Sequence, residues 1–104
     1  MSDAIDRLLK RCEAMGVPKD VDELRVMLTT LVRECGVSAA DANTGLLEAS
    51  VMMFSYPMPT DRGEYVAVYQ DRMRRCLFWG AVVRIVREDR LAEMRAVEKG
   101  GGGA

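Results

Sequence analysis

The chain contains few side chains that could carry out acid–base or nucleophilic chemistry. Histidine is absent from its 104 residues, so no serine, threonine or cysteine has the usual imidazole base to activate it. The cysteines Cys12, Cys35 and Cys76 are widely spaced and form no CxxC pair, so they lack the spacing of zinc ligands. The carboxylates Asp20, Asp22 and Glu23 cluster at a predicted helix start, where the helix dipole accounts for them. We therefore predict no catalytic residue, no metal and no cofactor; an enzyme using two carboxylates remains an alternative.

Arginine is the residue type most suited to contacting a partner. It supplies most of the 15 cations, although the net charge is only −1. Several arginines recur in the last third of the chain and could bind an acidic protein or the phosphates of a nucleic acid. The predicted partner-binding residues are Arg72, Arg75, Arg87 and Arg90. The simpler interpretation is a solvated helix flank with internal ion pairs, such as Asp71 with Arg75.

The stretch around Gly36 resembles a helix-turn-helix. In DNA-binding versions of this motif, the second helix lies in the major groove and its first residues contact base edges. Residues 39–44 would take that role here, but they include Asp41 and no cation, so the phosphates would repel them. We interpret the stretch as a plain connection between helices. A nucleic-acid-binding regulator or packaging component remains the alternative function.

The elements that position these residues are predicted to be helices. Apolar residues recur at helical spacing over about 3–15, 20–35 and 38–55. Gly16 and Gly36 are suited to the left-handed conformation that ends a helix, and Pro57 and Pro59 end the third helix. Three helices begin at a capping residue that has an acidic side chain three positions later. The predicted caps are Asp20, Ser38 and Asp61.

The third predicted helix has a broad apolar side. Its members are Ala42, Leu46, Leu47, Ala49, Val51, Met53 and Phe54. Gly45 weakens the start of this helix by about 1 kcal/mol relative to alanine. Methionine and aromatic residues also crowd around Pro57, where they suit either core filling or an adaptable binding surface.

The segment from Asp61 to Lys99 contains no proline and is predicted to form one long helix. Such a helix would measure about 57 Å, whereas a compact domain of this size is only about 35 Å across. Its middle, residues 76–86, is apolar on all sides except at Arg84, which must contact an acidic group or extend to water. A bend at Gly80, or a hairpin pairing 65–69 with 82–86, are the alternatives.

We expect the three short helices to be too small to cover every side of the apolar segment 76–86. The sequence therefore predicts that another molecule, most simply a second copy, covers the rest. Large apolar side chains of this kind dominate the energy of interfaces. The predicted self-association residues are Leu77, Phe78, Trp79, Val82, Val83 and Ile85.

Composition places the chain among small globular proteins. Residues 1–99 are predicted to form one all-α domain, a helical-bundle homodimer, and the glycine-rich stretch 100–104 a disordered tail. The apolar run of about 11 residues is shorter than the roughly 20 that cross a bilayer. The start of the chain lacks a secretory pattern, and the unpaired cysteines suit a reducing compartment. We predict a cytoplasmic adaptor, inhibitor or assembly factor, a profile also typical of phage and plasmid accessory proteins.

The burial predicted for Trp79 leads to a direct test. Trp79→Asp places a carboxylate in an apolar surrounding, which is costly without a partner, so we expect unfolded or monomeric protein. Light scattering and thermal unfolding check this. A variant with wild-type mass and melting temperature would show that Trp79 is not buried.

Overall fold

The computed structural model describes residues 3–102, with side chains for residues 3–99. It contains four helices and is 86% helical, which confirms the all-α class. The helices are α1 (Asp3–Met15), α2 (Val21–Cys35), α3 (Ala39–Ser55) and α4 (Arg62–Gly102). No strand occurs within residues 3–102, so the hairpin alternative is wrong, and α4 continues without interruption through Gly80. Gly103 and Ala104 lie outside the described residues; disorder of the glycine-rich tail stays a prediction.

The helix ends follow the predicted capping chemistry. Gly16 and Gly36 have positive φ angles of 77° and 67°, the left-handed conformation that glycine adopts at no steric cost. At the start of α3, the Asp41 amide donates to the Ser38 hydroxyl at 3.1 Å and the Ser38 amide donates to the Asp41 carboxylate at 3.3 Å. Asp61 caps α4 by accepting from the Glu64 amide at 3.0 Å.

Helices α1 and α2 form an antiparallel hairpin. Arg7 donates to the carbonyl of Cys35 at 3.1 Å, which satisfies one of the carbonyls left open at the end of α2. Leu8 and Leu28 are completely buried between the helices and α4. Cys12 and Cys35 are also buried, and burial raises the pKa of the Cys12 thiol, with a further contribution from the neighbouring Cys35.

Two ion pairs join α2 to α4 at the edge of the core. Arg25 lies 3.2 Å from Glu88, and Arg33 lies 2.7 Å from Asp89. The hydrogen bond from Arg33 lowers the pKa of the Asp89 carboxyl below its usual value. Because these side chains are largely exposed, they orient the two helices more than they stabilise them.

Helices α3 and α4 run antiparallel and approach each other closely. Gly45 lies directly against the indole ring of Trp79, and a methyl group built on Gly45 would overlap that ring. Ala42 and Ala49 are buried on the same face of α3, so this face consists of small residues. Trp79 also packs edge-on against Phe78, with ring centroids 5.3 Å apart. The face of α3 that consists of small residues is therefore the surface on which the aromatic pair of α4 packs.

The apolar middle of α4 is covered by the chain itself. Val82 is completely buried, Ile85 is 3% exposed and Phe78 is 9% exposed, all within one core shared with the first two helices and the start of α3. The expectation that three short helices cannot cover this run is wrong for these three residues. The long axis of the molecule is nevertheless 65 Å, and every side chain from Leu91 to Lys99 is exposed.

The contact between Gly45 and Trp79 generates a prediction with opposite signs at two glycines. Alanine at either position gains about 1 kcal/mol of helix propensity. At Gly45 the added methyl group overlaps the indole, and overpacking costs about 1–3 kcal/mol, so we expect net destabilisation. At Gly80 no atom lies within 4 Å of the added group, so Gly80→Ala should stabilise. Urea unfolding at one protein concentration measures both, and equal stabilisation would contradict the packing argument.

Candidate functional site

The predicted self-association residues divide between core and surface. Phe78, Val82 and Ile85 are buried inside the chain, and in this conformation they present no surface to a partner. Trp79 and Val83 are half-buried against the same core. Leu77 alone of the predicted set is largely exposed, at 51%. Self-association stays a prediction, but the surface available for it differs from the predicted one.

Arg72, predicted to contact an acidic partner, is instead a buried structural residue. It is only 8% exposed, and its guanidinium donates to the carbonyls of Tyr56 at 3.0 Å and Pro57 at 2.9 Å. It also contacts the sulfur of Met58 at 3.1 Å. A planar guanidinium with several donors can satisfy carbonyls that no helix bond reaches. Arg72 therefore holds the loop after α3 against the side of α4 through these hydrogen bonds.

The remaining predicted arginines lie on the surface. Arg75 pairs with Asp71 at 3.1 Å, which confirms the internal pair expected from the sequence. Arg84 contacts Glu88 at 3.3 Å while its side chain remains 66% exposed, so it both reaches an acidic group and extends to water. Arg87 and Arg90 are exposed and, within the part of the chain described, no ion pair is formed by either. Their binding of a partner stays a prediction.

Part of the broad apolar side of α3 is exposed. Leu47 is 65% exposed, Val51 43% and Phe54 84%. At 100° per residue these positions lie on the side of the helix opposite Gly45. We call these three residues the α3 stripe. They lie outside because α4 packs against the small residues of α3, which turns these large ones outward.

Both charged side chains of α3, the helix that carries the α3 stripe, are negative. Asp41 and Glu48 are the charged residues of α3, which contains no lysine or arginine. Glu48 is exposed beside the stripe, whereas Asp41 belongs to the capping box at the start of the helix. The stripe is thus an apolar row on a weakly acidic helix. For the same reason, the helix-turn-helix alternative has no cation on its second helix to meet phosphate.

A second exposed apolar surface follows the outer side of α4. Between about 37% and 51% of each large side chain is accessible there, and the rings of Tyr65 and Tyr69 stack with centroids 6.5 Å apart. We call this surface the α4 outer face. Its members are Tyr65, Val66, Tyr69, Met73 and Leu77. Farther along, the overhanging end of the helix exposes Leu91, Met94 and Val97.

The concave surface of the molecule is limited. A groove of about 530 Å³ lies between α1 and α2 and is mostly apolar, with Met15, Val26 and Leu31 in its walls and Arg11 at its edge. Apolar grooves of this size suit small ligands only when a few polar groups converge in them. The acidic residues beside Arg11, Asp22 and Glu23, lie in the first turn of α2. The groove therefore does not form a built chemical site.

Comparisons with known proteins give no assignment. Protein-family models, curated proteins and solved structures contain no match to this chain. No helix within residues 3–102 is apolar over a length sufficient to cross a lipid bilayer.

The position of Arg72 predicts a stability effect that its neighbour Arg75 does not share. Arg72→Leu removes the donors to the carbonyls of Tyr56 and Pro57, and the loss of charged hydrogen bonds costs about 1–3 kcal/mol. Arg75→Leu removes an exposed i,i+4 pair with Asp71 and should cost less than about 1 kcal/mol. Urea unfolding compares the two, and limited proteolysis should cut the 56–61 loop faster only in the Arg72 variant. Equal losses for both variants would show that Arg72 has no special role.

Proposed function

We propose that this protein is a cytoplasmic protein–protein interaction module, an adaptor, inhibitor or assembly factor that acts by binding through the α3 stripe. The observation that carries the proposal is the exposure of Leu47, Val51 and Phe54 on a helix whose other side is fixed in the core. Exposed apolar groups of this kind are typical of interaction sites. The cytoplasm is the proposed location because the three cysteines are free, as suits a reducing compartment.

The spacing of the α3 stripe specifies how a partner would bind it. Residues at i, i+4 and i+7 form one row along a helix, the arrangement by which helices insert anchors into an apolar groove. Phe54 is the proposed main anchor, since aromatic side chains bury about 150–250 Å² each. Because Glu48 and Asp41 are the charges of α3, the groove that fits best is apolar with a basic rim.

The α3 stripe is held rigidly, which lowers the cost of binding. The Ser38–Asp41 capping box fixes the start of α3, the Gly45–Trp79 contact fixes its middle, and Arg72 fixes the loop at its end. A helix that is already formed loses little conformational entropy when it enters a groove.

Self-association as a homodimer remains part of the proposal, because α4 extends well beyond the core and exposes apolar residues on its outer face. A nucleic-acid-binding role is the alternative, and it depends on Arg87 and Arg90. That alternative requires binding that weakens steeply with salt, because phosphate contacts release counterions.

Capture experiments with matched variants test the α3 stripe. Immobilised wild-type protein, Leu47→Asp, Phe54→Asp and the control Val26→Asp are exposed to native lysate, and captured proteins are quantified by mass spectrometry. Val26 is 73% exposed on α2, so it matches the stripe in exposure but not in position. We expect the protein captured by wild type and Val26→Asp to fall at least tenfold with both stripe variants, as for an interface hot spot.

Two results would contradict this proposal. Capture that survives Phe54→Asp, or that is lost equally with Val26→Asp, would place binding outside the α3 stripe. Retention of nucleic acid that vanishes between 50 and 200 mM salt would favour the alternative instead.

A further inference from the structure

The chain exposes more surface than a compact protein of its mass. Its accessible surface is 7449 Å², whereas about 5,800 Å² is expected for a monomer of 11.6 kDa. Its radius of gyration is 16.5 Å, against about 13 Å for a compact domain of this length. A stable interface buries about 800 Å² on each partner. The excess of about 1,600 Å² over a compact monomer is therefore sufficient for a dimer interface.

Helix α4 exposes a long row of large apolar side chains. The α4 outer face lies within an arc of about 120° on the helix, on the side away from the buried Phe78, Val82 and Ile85. At the same angle, Leu91 and Met94 lie on the overhanging end, where every side chain is exposed. Arg84 and Arg87 lie in the same arc, between Leu77 and Leu91. From Tyr65 to Met94 the row measures about 44 Å along the helix, and its large apolar side chains are exposed within the described residues.

Charge along this row discriminates between two orientations of a second α4. In a parallel pair each residue meets its own copy, so Arg62, Arg84 and Arg87 would each face an identical cation, which is unfavourable. In an antiparallel pair that crosses at Gly80, a residue meets the one equally far beyond the crossing point. Arg62 then faces Glu98, where opposite charges attract.

The apolar residues also match in the antiparallel register. Val66 faces Met94, Tyr69 faces Leu91, and Leu77 lies opposite Val83 near the crossing. Met73 faces Arg87, whose methylene groups can cover it while the guanidinium extends to water. Tyr65 faces Arg95, an arrangement in which a guanidinium stacks on an aromatic ring. The two halves of one surface are thus complementary to each other, which is the requirement for a two-fold symmetric interface.

We propose that the α4 outer face binds a second copy of this chain as an antiparallel pair of helices that cross near Gly80. The inference rests on the proposed self-association and is independent of the α3 stripe. Two α3 stripes would then be presented by one dimer, so a partner with two grooves would gain avidity.

The mass of matched variants in solution tests the interface. Multi-angle light scattering from 5 to 100 µM should report a dimer for wild type. Val66→Asp, which places a carboxylate opposite Met94, should shift the midpoint of association at least tenfold to higher concentration, with an unchanged helical circular dichroism spectrum. Phe54→Asp is the control, because Phe54 is 84% exposed but lies on α3, and its dimer should form as in wild type. Tyr69→Asp, opposite Leu91, supplies a second interface variant in case Val66→Asp fails to fold.

Disulfide formation tests the orientation. In the antiparallel register the two Cys76 residues are displaced along the axis by about 12 Å, too far for a disulfide, which needs Cα atoms within about 7 Å. Under mild oxidation, wild type should therefore not cross-link, whereas Gly80→Cys in a Cys76→Ala background should. The Cys76→Ala protein is the control; its two remaining cysteines, Cys12 and Cys35, are buried.

Three outcomes would overturn the inference. These are a wild-type monomer at 100 µM, a dimer that survives both Val66→Asp and Tyr69→Asp, and efficient cross-linking through Cys76. Loss of partner capture by Phe54→Asp with the dimer intact supports both proposals. Capture that survives Phe54→Asp with the dimer intact contradicts only the α3 stripe, so the two failures are distinguishable.

Discussion

The close approach of α3 and α4 at Gly45 is the constraint on which most of the structure depends. The indole of Trp79 occupies the space that any side chain at position 45 would need. Because α3 contacts α4 at Gly45, Ala42 and Ala49 face inward, and the larger residues of α3 face away from the core. Close packing leaves little room to adjust such a contact. Gly45 therefore determines where the aromatic pair Phe78 and Trp79 packs, and it also determines which residues of α3 face solvent.

Two arginines donate hydrogen bonds to carbonyl groups at the ends of helices. Arg7 donates to the last residue of α2, and Arg72 donates to two carbonyls just after α3. Carbonyls at the ends of helices have no partner within the helix, and a guanidinium can satisfy them while staying charged. The arginine content of the chain thus partly serves the fold, and exposed arginines such as Arg87 and Arg90 differ from these in environment.

The core of this protein is small and buries only part of its large apolar side chains. Both proposed interfaces consist of apolar side chains that remain exposed. The buried run of α4 is satisfied within the chain, whereas Phe54 on α3 and Tyr69 on α4 remain outside it. These residues lie on two separate surfaces with different neighbours. The α3 stripe lies on a helix whose charges are all acidic, whereas the α4 outer face is the surface proposed to pair with a second copy in the opposite direction. One surface therefore suits a different protein and the other suits a second copy.

Sequence alone determined the elements, because helical periodicity and caps such as Ser38 and Gly36 depend on neighbouring residues. The all-α class, the starts of the helices, the single long α4 and the Asp71–Arg75 pair were predictable for this reason. Only the tertiary structure decided that Phe54 is outside, that Arg72 is inside and that Val82 is covered by its own chain. Those outcomes depend on which helix faces which, and residues far apart in the chain set that arrangement. The small residues Ala42, Gly45 and Ala49 were the one available signal, since spacing of small residues along one face favours close helix contact.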